Sequence, residues 1–89
     1  MPVMIPPAQK PIQLYLWSGC RYCTRQKSVI SSMDVEMMNW FVRNVSVVTV
    51  SDPKMYPRIK GYPFWVLRGK ADPGFKSMGE IVSMRRTAP

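Results

Sequence analysis

The stretch Ile12-Gln13-Leu14-Tyr15-Leu16-Trp17-Ser18-Gly19-Cys20-Arg21-Tyr22-Cys23 decides how the chain reads. Its first six residues are an apolar, aromatic and β-branched run bounded by Pro11 and by Ser18-Gly19, which predicts a buried strand. Two cysteines follow at once, three positions apart, and the polar, basic run Thr24-Arg25-Gln26-Lys27 comes after them. Ile30, Met33, Met37 and Phe41 (or Trp40) then recur at three- and four-residue steps, the spacing of one apolar stripe on a helix. The cysteines therefore stand where a strand ends and a helix opens.

That position has chemical consequences. Thiolate is the nucleophile, and a free thiol near pKa 8.5 is mostly protonated at neutral pH. Unsatisfied backbone N–H groups and the helix dipole favour negative charge at a helix N-terminus, and Arg21 and Arg25 add positive charge in the first turn. Two intervening residues put the second sulfur one helical turn from the first. This pattern predicts a redox-active pair: Cys20 attacks a disulfide, and Cys23, the more buried, resolves the mixed disulfide. A structural zinc site needs four sulfur or nitrogen ligands, and the chain has two cysteines and no histidine, so it closes no such site alone. A metal shared between two chains, or two inert buried thiols, are the alternatives at this point.

Further along, a helix break near Ser31-Ser32 is expected, with Ser32 capping a second segment that carries Glu36. Asn44 ends the helix, and the β-branched run Val45 to Val50 is a strand. Ser51 or Asp52 caps a short helix with Pro53 at its first position, and Pro57 keeps that helix short. Phe64 to Leu67 is a buried strand, Asp72-Pro73-Gly74 a turn, Phe75 to Met78 a short edge strand, and Glu80 to Arg86 a last helix with Ile81, Val82 and Met84 inward. The order is a mixed α/β plan, one domain with a sheet of about four strands flanked by helices. Residues 1–11 hold four of the nine prolines and are expected to form an extended arm ahead of a domain at 12–89.

Two segments of this chain resemble the thioredoxin/glutaredoxin superfamily. Ser18-Gly19-Cys20-Arg21-Tyr22-Cys23 is similar to a glutaredoxin active site. Tyr56 to Lys70, with Ile59-Lys60-Gly61-Tyr62-Pro63 leading into Phe64-Trp65-Val66-Leu67, is similar to the thioredoxin segment about 40 residues beyond the cysteines. The resemblance covers residues 12–86 and implies a thioredoxin-like fold and thiol–disulfide oxidoreductase activity. It implies a cis bond before Pro63 that sets the Tyr62 backbone opposite the nucleophilic sulfur, where an extended substrate pairs. Arg21, Tyr22, Tyr62, Pro63 and Gly79 become substrate-binding residues, Gly79 resembling the glycine that the family packs near its active site. The chain departs from the family at several positions. Gly19 stands where thioredoxin has Trp, Leu14 where it has a buried acid, and Trp17 where glutaredoxin has Lys; the Gly-Gly-x-x-Asp pattern that helps hold glutathione is reduced to Met78-Gly79-Glu80. No bound cofactor is implied. Glutathione enters as a reductant or substrate, a thioredoxin reductase as the other electron source, and a protein disulfide such as that of a ribonucleotide reductase as the target. The protein is expected to act as a monomer.

Composition sets the remaining bounds. The chain has 89 residues, enough for one thin-cored domain. It is 46% hydrophobic and 20% charged, a globular balance. No stretch approaches the roughly 18 apolar residues of a membrane span, and prolines interrupt the N-terminus before a signal-peptide core forms. A cytoplasmic location is the expectation. Thirteen Lys and Arg against five Asp and Glu give a net charge of +8, which attracts polyanions. Arg21, Arg25, Lys27, Arg58 and Lys60 are candidates to gather around the sulfur and draw an acidic partner. The competing class is a non-catalytic binding module whose basic surface takes nucleic acid or an acidic protein. The basic residues are dispersed and no nucleic-acid-reading motif is present, which disfavours nucleic acid as the partner.

Overall fold

A computed structural model of the protein describes residues 10–87. The first strand, β1 (Ile12–Trp17), alternates sides. Ile12, Leu14 and Leu16 are buried in the core cluster, while Gln13, Tyr15 and Trp17 take the opposite side. The helix opened by the cysteines, α1 (Arg21–Ser31), is followed by α2 (Val35–Asn44). The break predicted near Ser31-Ser32 is present, but its cap is different. Asp34, not Ser32, caps α2, its Oδ1 accepting from the Met37 N–H at 2.8 Å. The Ser32 hydroxyl instead turns back to the Val29 carbonyl at 2.7 Å, closing α1. The stripe runs across the break: Met33, Met37 and Phe41 are buried, with Ile30 and Trp40 packed at the margin.

These helices carry the chain back so that β2 (Val45–Val50) runs parallel to β1, with Ile12 opposite Val45 and Trp17 opposite Val50. A single 3-10 turn follows at Pro53–Met55 with Pro53 leading, and of the two caps that the sequence offers it is Asp52, not Ser51, that caps it. Strand β3 (Phe64–Leu67) pairs antiparallel with β1, and β4 (Lys70–Pro73) with β3, giving the order β2-β1-β3-β4. This is an α/β fold of the thioredoxin-like kind.

Two expectations for the C-terminal part are corrected. The edge strand is Lys70–Pro73 rather than Phe75 to Met78, and the hairpin turns at Arg68-Gly69 rather than at Asp72-Pro73-Gly74. Both turn residues have positive φ, 50° and 84°, so the hairpin twists with its strands, and Gly69 adopts that geometry without a Cβ clash. Pro73 is tolerated because β4 lies at the sheet edge. The last helix, α3 (Met78–Thr87), begins earlier than predicted because Ser77 and Glu80 form a capping box. Glu80 Oε1 accepts from the Ser77 N–H at 2.9 Å and Ser77 Oγ from the Glu80 N–H at 3.3 Å. The Ser77 N–H, and after it the Ser77 side chain, hold the Glu80 carboxyl below its ordinary range.

All three helices send buried residues into the cluster that holds Ile12, Leu14, Leu16 and Trp65: Cys23 from α1, Met37 and Phe41 from α2, Ile81 and Met84 from α3. The expected flanking helices thus cover one face. On the other, among the described residues, the 3-10 turn and its flanking loop stand in for a helix, with Tyr56 edge-on to Tyr15 at 5.4 Å. Most of the expected N-terminal arm lies outside the described residues. Its last residue joins the sheet, the Pro11 carbonyl accepting from the Arg68 N–H at 2.7 Å. No helix among the described residues is long and apolar enough to cross a membrane.

Candidate active site

Cys20 is the residue immediately before the first turn of α1, with extended backbone (φ −109°, ψ 125°). No side chain caps this helix and its first turn holds no acid, so the positive end of the helix is left to the sulfur. The turn that presents Cys20 is closed by its own N–H donating to the Trp17 carbonyl at 3.1 Å. Cys20 is half-buried and Cys23 fully buried, both as free thiols, and the pair stands 3.8 Å apart.

Each sulfur has a backbone partner. The Cys20 thiol donates to the Tyr62 carbonyl at 2.9 Å, and Cys23 Sγ accepts from the Trp17 N–H at 3.3 Å. The Tyr62–Pro63 peptide bond is cis, the geometry that the resemblance implied. Burial pushes the Cys23 thiol up to about 11; the Trp17 N–H opposes this, and the neighbouring Cys20 adds to it. Lys27, a solvent-facing cation on α1, also favours the Cys23 thiolate.

A cleft of about 460 Å³ opens beside Cys20. Trp17 and Tyr62 wall it with their rings, whose centroids are 6.1 Å apart, and Lys60 lines it as well. The Trp17 indole lies directly over Gly19, where a Cβ would come within 2.6 Å of Cη2 and 2.7 Å of Cε2. Trp17, half-buried, is thus a wall of the site, whereas Trp65 is wholly core.

The structure brings together Cys20, Cys23, Tyr62 and Pro63 from the sequence-predicted set. Arg21 and Tyr22 lie on the exposed first turn of α1, Tyr22 with 49% of its surface open and the Arg25 guanidinium 5.7 Å from its ring centroid. Gly79 is exposed in the first turn of α3, where an added Cβ would meet only Ser77 Oγ at 3.9 Å, so no close packing calls for glycine there. Of the basic residues, Lys60 reaches the cleft and Arg58 lines a neighbouring groove.

Sequence reading missed Gln26. It sits one turn beyond Cys23 with no exposed surface. Its Oε1 accepts from the Lys76 N–H at 2.8 Å and from Trp65 Nε1 at 3.3 Å, and its Nε2 donates to the Lys76 carbonyl at 2.9 Å. One amide thereby ties the cysteine-bearing helix to β3 and to the loop before α3. Its position, three residues after Cys23 and on the same helix face, was the available signal.

No family model and no curated protein matches the chain. A solved structure described as "Structure of a malarial protein" superimposes with a TM-score of 0.57 at 14% identity, over 86% of this chain and 93% of that chain. At that identity the likeness speaks for the fold alone, and the fold is α/β and thioredoxin-like.

Proposed function

We propose that the protein is a dithiol thiol–disulfide oxidoreductase that reduces protein disulfides in the cytoplasm. One observation carries this reading: a half-exposed Cys20 at an uncapped helix N-terminus, facing the Tyr62 carbonyl, with a buried Cys23 directly behind it. Cys20, as thiolate, attacks one sulfur of the substrate disulfide, and the other leaves as a thiolate that takes up a proton. The Tyr62 carbonyl, relieved of the Cys20 proton, accepts a backbone N–H of the extended substrate. Cys23 then loses its proton and attacks Cys20, forming the internal disulfide and releasing the second substrate thiol. The substrate gains two electrons and two protons, which Cys20 and Cys23 give up. Glutathione or a dithiol reductase of the thioredoxin reductase type returns them. An essential dithiol enzyme such as a ribonucleotide reductase is the kind of target that fits.

The test is titration of the Cys20–Cys23 couple against a glutathione redox buffer, read by mass spectrometry. A reversible potential of roughly −270 to −200 mV is expected for a cytoplasmic reductant. Cys20→Ser should abolish turnover, and Cys23→Ser should accumulate mixed disulfides. Failure to form an internal disulfide, or full turnover by Cys20→Ser, overturns the proposal.

A further inference from the structure

Two depressions meet at Ile59. One is the cleft beside Cys20; the other is a groove of about 330 Å³ between the Met55–Ile59 loop and the sheet face opposite the helices. Ile59 lines both, so the groove adjoins the cleft that opens beside the sulfur. The groove is walled by Tyr15, Tyr56, Phe64 and Val66, and Met55 stands beside it with 67% of its surface open. Apolar walls penalise a polar occupant, which would lose its water without gaining partners.

The rim carries charge of one sign. Arg58 lines the groove and Lys60 the cleft, and both are exposed. The ion pairs among the described residues are Lys76–Asp72 and Arg85–Glu36, so neither rim cation has an anionic partner there. A second copy of this chain, itself at +8, would be repelled from such a rim.

We infer that the groove reads the residues flanking the reacting cysteine, and that the substrate disulfide lies in an extended peptide with an apolar or aromatic side chain and an acidic side chain close to that cysteine. This rests on the redox reading above. Ile59, common to the cleft and the groove, is where an extended chain leaving Cys20 would pass from one to the other. The apolar side chain fills the groove, and the carboxylate meets Arg58 or Lys60.

The test uses the full-length, pre-reduced protein in single-turnover reactions, quenched with acid and read by mass. The probes are four short peptides, each dimerised through its single cysteine, with Glu or Lys and Leu or Ser at the flanking positions. A further probe, 2-hydroxyethyl disulfide, has no flanking residues. Leu is expected to raise the second-order rate about five- to tenfold over Ser, and Glu about threefold over Lys, an advantage that high salt removes. Met55→Ser should shrink the Leu preference and Arg58→Glu should reverse the charge preference, each normalised to the same variant's rate with 2-hydroxyethyl disulfide. Both residues are exposed, so the fold should tolerate the changes. Equal rates for all four peptides, with 2-hydroxyethyl disulfide still reduced, overturn the groove assignment alone. No reduction of any probe overturns the redox reading, and the groove assignment with it.

Discussion

The Cys20 thiol donates to the Tyr62 carbonyl across 42 residues of chain, at 2.9 Å. A sulfur at the end of one β–α unit is thereby held against the backbone that enters β3. The contact uses a main-chain carbonyl, so the Tyr62 side chain is free for another role, and it walls the cleft instead. Its hydroxyl, however, is buried without a hydrogen-bond partner among the described residues.

That orphaned hydroxyl makes Tyr62→Phe an informative change. A buried polar group with no partner costs about 1–3 kcal/mol of desolvation, so removing it should leave stability unchanged or raise it by about 1 kcal/mol. Urea denaturation of the reduced protein checks this. A clear loss of stability would show that the hydroxyl has a partner in solution.

The raised Cys23 thiol predicts a pH dependence with a definite sign. The folded protein holds this proton to about 11, whereas the unfolded chain releases it near the ordinary 9.0. Between those values the unfolded state binds fewer protons, so stability is full below pH 9 and falls as pH rises towards 11. The slope reaches about 1.4 kcal/mol per pH unit at most. Cys23→Ala should flatten that window in denaturation curves taken on the reduced protein.

The same thiol governs resolution. In a mixed disulfide on Cys20, the contributions of the Cys20 thiol that push Cys23 up are gone, and burial is the main one left. Release of glutathione from a preformed Cys20 adduct should therefore accelerate with pH, by up to about tenfold per unit, and level off below pH 11. Stopped-flow or quenched mass measurements read this directly, and a flat profile would assign resolution to another group.

Gln26→Leu should be costly despite its similar size. It strands the Lys76 N–H and carbonyl and Trp65 Nε1 in a dry interior. The expected loss is about 3 kcal/mol, since each buried group left without a partner costs about 1–3 kcal/mol. A loss under about 0.5 kcal/mol, the level of an ordinary surface change, would refute the role assigned to this amide.

Gly19→Ala should force the Trp17 indole off its seat, because the new methyl would overlap the ring. Overpacking of this kind costs about 1–3 kcal/mol. In the Trp17→Ala background the same change should cost little, giving a coupling above about 0.5 kcal/mol in a double-mutant cycle. Additive effects would mean that the ring does not rest on Gly19.

Much of the fold was legible locally. The β1 run from Ile12, the β-branched run Val45 to Val50 and the Asp52-Pro53 cap carry their conformations in short-range sterics and hydrogen bonding, and each appears where predicted. Local signals were also misread. Ser77-x-x-Glu80 is a capping box that excludes a strand through Met78, and Asp34 outranks Ser32 as cap because its carboxylate reaches the Met37 N–H. The pair spacing of Cys20 and Cys23 at a strand-to-helix junction was likewise readable, because one helical turn sets the distance between the sulfurs.

What the sequence alone determined, then, was β1, β2, β3 and the Asp52-Pro53 turn, and the presence of two thiols at the start of a helix, all settled within a few residues of chain. Only the tertiary structure decided what surrounds them. The Tyr62 carbonyl on Cys20, the burial that raises Cys23, the Gln26 bridge to Lys76 and the indole over Gly19 depend on which segments the sheet brings together. Three of these four join groups far apart in sequence or depend on the whole packed core, and no local periodicity encodes such meetings. The fourth, between Trp17 and Gly19, is local in sequence, but the same indole also faces the Tyr62 ring from a distant segment, 6.1 Å away between centroids.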